Sequence, residues 1–111
     1  MKALFGALTV VVSATTALAH GLTVFAYVED GQVLVESRFS NGNPPQVGEV
    51  RVLDSENQPI LLMDLRPDGT ATFPLDPAHS ETGLLVEVST GDGHDNYWIL
   101  TPDDIARGSG G

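Results

Sequence analysis

The sequence predicts an all-β fold, a single antiparallel β-sandwich of about seven strands, of the immunoglobulin or transthyretin type. Short runs rich in β-branched and aromatic residues recur between residues 22 and 100, and clusters of turn residues separate them. No stretch of the same region has the clear periodicity of an amphipathic helix. A β-barrel is the alternative architecture that these observations allow.

Residues 1–19 have the pattern of a secretory signal peptide. Lys2 supplies the positive charge, residues 3–12 form the apolar core, and Ala17-Leu18-Ala19 fits the cleavage rule. We therefore expect cleavage after Ala19, export to the periplasm, and a mature chain that begins at His20. The alternative is a retained membrane anchor, although the apolar run is short for a membrane-spanning helix.

The predicted strands follow one another from His20 onward. They cover residues 22–28, 32–39, 49–53, 60–65, 70–73, 84–89 and 96–100. Asp30-Gly31 predicts a tight hairpin between the first two strands, and Pro44-Pro45 ends the pairing of the second. We expect the sandwich domain to span residues 20–101. Residues 102–111, which end Gly-Ser-Gly-Gly, are expected to form a flexible C-terminal tail.

The charge balance limits the partners. The chain carries 15 acidic and 5 basic side chains, with a net charge of −10, and Lys2 leaves with the signal. Such an acidic chain lacks the basic footprint that nucleic acid or an anionic membrane surface requires. The chain has no cysteine, so a metal site must use nitrogen and oxygen ligands. The mature part has no second long apolar run, and we expect no membrane insertion of it.

His20, Asp92 and His94 are the candidate metal ligands. A terminal His20 offers two nitrogen ligands, its imidazole and an α-amino group whose ordinary pKa is near 8. Asp92 and His94 lie two residues apart in Gly91-Asp92-Gly93-His94, so both side chains point to one side if the segment is extended. Because strand ends cluster at the two ends of a sandwich, we expect His20 to lie near this loop. The alternatives are that His20 is merely the residue that happens to follow the cleavage site, and that His94 is a solvated histidine in a turn.

The remaining polar residues give weaker indications. His79, in the loop Pro77-Ala78-His79-Ser80-Glu81, is interpreted as a surface residue. Glu36 and Glu87 alternate with apolar neighbours and are expected to face solvent. Trp98 is expected in the core, with Tyr97 on the opposite face. No nucleophile elbow, phosphate loop or H-E-x-x-H motif is present, so we predict that the protein is not an enzyme.

Several segments resemble one known family. They are Phe25-Ala26-Tyr27-Val28-Glu29, the run from Val35 to Gly42, Val50-Arg51-Val52-Leu53-Asp54, and Gly91-Asp92-Gly93-His94 before the last strand. The chain is similar here to the extracytoplasmic accessory components of bacterial nickel and cobalt uptake transporters of the energy-coupling-factor type. The resemblance implies a β-sandwich that starts with histidine and assists delivery of Ni(II) or Co(II) to the membrane subunits of the transporter.

Three other functions stay open at the level of sequence. Periplasmic copper carriers of the copper-resistance type also start with histidine and have an Asp-x-His loop before a final strand, which makes Cu(II) the alternative cargo. Met63 is the only methionine of the mature part, so a methionine-rich Cu(I) site is absent. A metal-free interaction module and an oxidative copper enzyme with a terminal histidine brace are the other two.

Overall fold

The computed structural model describes residues 21–91 and 93–109, and this part of the chain forms the predicted antiparallel β-sandwich. Its seven strands are β1 (Leu22–Glu29), β2 (Gln32–Phe39), β3 (Glu49–Leu53), β4 (Pro59–Asp64), β5 (Thr70–Pro74), β6 (Leu84–Ser89) and β7 (Asp95–Leu100). One sheet has the order β1-β2-β5, and the other has the order β4-β3-β6-β7. Each predicted strand is confirmed to within one residue at either end.

The first hairpin follows from its two loop residues. Glu29 pairs with Gln32, so Asp30 and Gly31 alone connect β1 to β2. Both have positive φ angles, 52° for Asp30 and 76° for Gly31, as the tight turns that match strand twist require. The predicted Asp-Gly hairpin is therefore confirmed.

The core lies between the two sheets and is built mainly from valine. Alternate residues of each strand point inward, and Val33, Val50, Val52, Val86 and Val88 have no exposed surface. Small β-branched side chains at these positions suit both strand backbone and the close packing of two sheets. Trp98 packs against this core while Tyr97 is exposed, as expected.

The segment after β7 differs from the expected flexible tail, because Pro102–Ser109 forms a helix, α1. Thr101 and Asp104 exchange hydrogen bonds at its start: the Asp104 N–H donates to Thr101 Oγ1, and the Thr101 N–H donates to Asp104 Oδ2. Ile105, only 2% exposed, belongs to the main core. A Cβ at Gly108 would overlap the Val28 carbonyl, so glycine lets the helix lie directly on β1. The helical segments within the described ranges are too short or too polar to span a membrane.

The two sides of the sandwich differ. On one side, β1 and β7 are joined across the sheets by a hydrogen bond from Asn96 Nδ2 to the Leu22 carbonyl at 2.7 Å. The rings of Phe25 and Trp98 meet edge to face there, with centroids 4.9 Å apart. On the other side, a largely apolar groove of about 440 Å³ opens between β4 and β5. The closed side therefore fixes the position of the first strand relative to the last.

Candidate metal centre

His94 lies in the loop between β6 and β7, immediately before β7. The loop closes where the Thr90 N–H and the Thr90 hydroxyl both donate to the His94 carbonyl, each at 3.1 Å. Gly91 and Gly93 have φ angles of 83° and 91°, in the region that favours glycine. The glycines of the Gly-Asp-Gly-His motif thus permit a tight loop, which presents a half-buried histidine at the end of the sandwich.

The start of β1 is held at the same end of the molecule. The Gly21 carbonyl accepts a hydrogen bond from the Ser40 N–H at 2.8 Å, at the end of β2. The carbonyl of the next residue, Leu22, accepts the bond from Asn96 described above. The first described residues of the chain are therefore held by β2 and β7, which belong to different sheets.

Phe39 joins these two features. It is the register partner of Leu22 in the β1–β2 pair. Its ring lies 5.5 Å from the imidazole of His94 between centroids, with the ring planes at 77°. Such an edge-to-face contact restricts the orientation of the imidazole. One aromatic side chain thus separates the start of β1 from His94.

The three predicted ligands can be compared with the structure only in part. His94 is described, whereas His20 and Asp92 lie outside the described residues. Within residues 21–91 and 93–109, no group of three or more histidine, aspartate or glutamate side chains is arranged to hold a metal ion. Of the three predicted ligands, the described part of the chain therefore contains His94 alone.

The weaker candidates lie elsewhere. His79 ends a short 3₁₀ turn, Pro77–His79, and is half-buried beside the groove between β4 and β5. Glu36 is exposed on the three-stranded sheet and accepts a long hydrogen bond from the Tyr27 hydroxyl at 3.4 Å. Glu87 faces outward on the four-stranded sheet and pairs with Arg51 at 2.9 Å. None of these three side chains lies in the loop that carries His94.

Sequence reasoning missed Phe39 and Asn96, which hold the start of β1 and the His94 loop together. The strand pattern does indicate that Phe39 points inward, since Val33, Val35 and Phe39 share the parity of their positions. The pattern does not indicate that β1 and β7 become neighbours at the edges of different sheets. That adjacency follows from the topology, which periodicity alone does not specify.

No protein family, curated protein or solved structure matches this chain.

Proposed function

We propose that the mature chain is a periplasmic, non-catalytic accessory protein that binds Ni(II) or Co(II) and delivers it to the membrane subunits of an uptake transporter. The metal is cargo in this proposal. The ligands are the α-amino group and imidazole of His20, the imidazole of His94 and the carboxylate of Asp92. Amine and imidazole nitrogens suit both ions, and a metal can displace the proton of an amine with an ordinary pKa near 8.

One observation supports this proposal above the others. Gly21 and Leu22 are held at the same end of the sandwich as His94, and Phe39 contacts both strand β1 and the imidazole. A residue that immediately precedes Gly21 starts from a backbone position fixed by the Ser40 and Asn96 hydrogen bonds. An anchored Gly21 and an oriented His94 imidazole support this proposal, because a chelating terminal histidine would need both.

Cu(II) is the alternative cargo, since it binds almost any such nitrogen site more tightly than Ni(II) or Co(II) does. Affinity alone therefore does not identify the physiological metal. Met63, the one methionine of the mature part, packs against the core from β4. The thioether that would favour Cu(I) is thus committed to packing rather than to the end of the sandwich that carries His94.

The test compares two proteins that differ by one residue, one starting at His20 and one with an extra methionine before it. We expect the native terminus to bind one Ni(II) or Co(II), with shifts at the ring resonances of His20 and His94 in NMR spectra. The extra residue removes the α-amino ligand, so the affinity should fall at least about tenfold, or about 1.4 kcal/mol.

His94→Ala should weaken binding to a similar extent, whereas the matched variant His79→Ala should bind as the parent does. Equal affinity of the two starting termini would contradict the terminal-histidine mechanism. If no metal binds at micromolar concentration and His94→Ala leaves metal uptake by cells intact, the protein is an interaction module instead.

A further inference from the structure

The outer face of the four-stranded sheet is unusually apolar. We use this name for the side chains of β4, β3, β6 and β7 that point away from the core. Leu62, Tyr97 and Ile99 are 62%, 55% and 58% exposed there, and Ile60 is 43% exposed. These are four of the six large apolar side chains that are exposed in the described part of the chain. An exposed apolar patch of neighbouring side chains is a common mark of an interaction site.

The opposite sheet provides the contrast. Its outer positions include the polar residues Thr23, Glu36, Arg38 and Thr72 together with Phe25, Tyr27 and Leu34, of which Phe25 is exposed, at 42%. Exposed large apolar side chains are therefore more numerous on the outer face of the four-stranded sheet, with four against one. Leu53 lies on this side of β3 but is only 6% exposed, so it adds little to the exposed patch.

Strand register arranges the outer face in three rows. The first is apolar and contains Leu53, Leu85 and Ile99, which are register partners across β3, β6 and β7. The second runs Leu62, Arg51, Glu87, Tyr97, and the third runs Asp64, Glu49, Ser89, Asp95. Apolar character thus changes to negative charge across the face.

The charges on this face do not cancel. Arg51 is the only cation of the three rows, and it pairs with Glu87 at 2.9 Å. Glu49, Asp64 and Asp95 remain as a row of exposed carboxylates. A shallow depression of about 620 Å³ lies above the second and third rows, with Leu62 and Tyr97 among its lining residues and Glu49 and Asp95 at its acidic side.

These features favour a basic partner over a second copy of the chain. Two copies packed through this face would bring each carboxylate row against either another carboxylate row or an apolar row. Both arrangements remove charges from water without a counter-charge, which is unfavourable. An anionic membrane is disfavoured by the same carboxylates. A protein surface with apolar side chains beside lysine or arginine matches both halves of the face.

We propose that the outer face of the four-stranded sheet docks a partner protein through an apolar patch flanked by basic side chains. Exposed apolar side chains supply the contact area, and the row of Glu49, Asp64 and Asp95 sets the orientation. The proposal is independent of metal binding, because none of the three predicted metal ligands belongs to these rows.

The test uses three blocked peptides of about eight residues, matched to strand length. One alternates lysine and leucine, one alternates lysine and serine, and one alternates glutamate and leucine. Each is added to ¹⁵N-labelled protein in about 0.15 M salt, where the Debye length is about 8 Å. We expect the lysine–leucine peptide alone to cause saturable amide shifts, concentrated at Leu62, Glu87, Tyr97 and Ile99.

Two pairs of variants separate the contribution of the exposed apolar side chains from that of the carboxylate row. Leu62→Ser/Ile99→Ser should weaken binding of the lysine–leucine peptide about tenfold or more, whereas Val47→Ser, at a 72% exposed apolar residue outside these rows, should not. Glu49→Gln/Asp64→Asn should weaken it more than Glu56→Gln/Glu81→Gln, which removes the same charge elsewhere. All four are surface changes, and thermal unfolding checks that each protein is folded.

Three results would overturn the proposal. If the lysine–serine peptide caused equal shifts, charge alone would explain peptide binding and the apolar side chains would have no role. If the glutamate–leucine peptide caused equal shifts, the carboxylate row would have no role. Sedimentation that shows a dimer, abolished by Leu62→Ser/Ile99→Ser, would assign the face to a second copy.

Discussion

Ser37 is the buried polar side chain of the described core, at 3% exposure, and its environment explains why a serine is tolerated there. Its hydroxyl donates to the Gly69 carbonyl at 2.7 Å, and its backbone N–H donates to the same oxygen at 2.9 Å. Gly69 has a φ of 80°, and a Cβ there would lie 2.7 Å from the Ser37 carbonyl oxygen. The turn after β4 is therefore held against the end of β2 by this pair.

Ser37→Ala should lower the free energy of unfolding by about 1 kcal/mol, because one buried hydrogen bond is lost while the carbonyl keeps the N–H donor. Urea unfolding, followed by the fluorescence of Trp98, measures the change. Ser55→Ala, in an exposed turn, is the matched control and should stay within about 0.5 kcal/mol of the parent. A loss above about 3 kcal/mol would mean that the carbonyl is left without a donor, contrary to this account.

The Ser37–Gly69 contact also shows where sequence reasoning ends at this scale. Pro67-Asp68-Gly69 predicts a turn, and the alternation of β2 predicts which side of the strand Ser37 faces. The contact joins residues 32 positions apart and depends on β2 pairing with β5. Local patterns carry no information on that pairing. The same applies to Phe39 and His94, which meet because the ends of different sheets converge.

At the scale of elements, helix α1 is the main difference from expectation. Its sequence contains one buried apolar residue, Ile105, so no hydrophobic period was visible. Its start has the form of a capping box, with Thr101 as the cap, Pro102 in the first position and Asp104 in place of the usual glutamate or glutamine. The strands were predictable because each contributes several alternating apolar residues, whereas the helix depends on one tertiary contact and two capping bonds.

The capping bonds predict a pH dependence. The Thr101 N–H is the main cause that holds the pKa of Asp104 below its usual range, with further contributions from the Thr101 hydroxyl and from Arg107. A carboxyl group with a lowered folded-state pKa stabilises the fold above its unfolded pKa, and this stabilisation is lost as pH falls through the folded pKa. The stability difference between the parent and Asp104→Asn should therefore be greatest near neutral pH and shrink below about pH 4.

Urea unfolding at a series of pH values measures that difference. Asp103→Asn is the matched control, since it removes the same charge one residue earlier, whereas the carboxylate that accepts from the Thr101 N–H and from Arg107 is that of Asp104. If both variants lose stability equally at every pH, general charge repulsion rather than the cap governs the end of the helix.

At the scale of the whole molecule, the sandwich class and the outward Glu36 and Glu87 followed from the sequence. The difference between the two sides of the sandwich did not. The β1–β7 contact closes one side, and the groove between β4 and β5 leaves the other open. Both depend on which strands lie at the sheet edges. The predicted ligand His94 and the acidic row of the outer face lie on strands or loops of the four-stranded sheet, so topology places them on one scaffold.

The acidity of the chain bears on any metal measurement. With 15 acidic and 5 basic side chains, the folded chain repels itself, and dissolved cations relieve part of that repulsion without a specific site. Mg²⁺ should therefore raise the unfolding temperature of the parent and of His94→Ala equally. An ion that binds at a specific site adds a further term to the free energy of unfolding, about 2.7 kcal/mol when its concentration is 100 times its Kd.

For a domain of this size, that term corresponds to a rise of more than about 10 °C. Ni(II) or Co(II) at the same ionic strength should give this excess in protein that starts at His20, and His94→Ala should lose the excess while keeping the Mg²⁺ response. Thermal unfolding of the four combinations, monitored by circular dichroism, provides the measurement. If Ni(II) and Mg²⁺ stabilise both proteins alike, general attraction by the acidic surface accounts for the whole effect, because a chelate of amine and imidazole nitrogens discriminates strongly between these two ions.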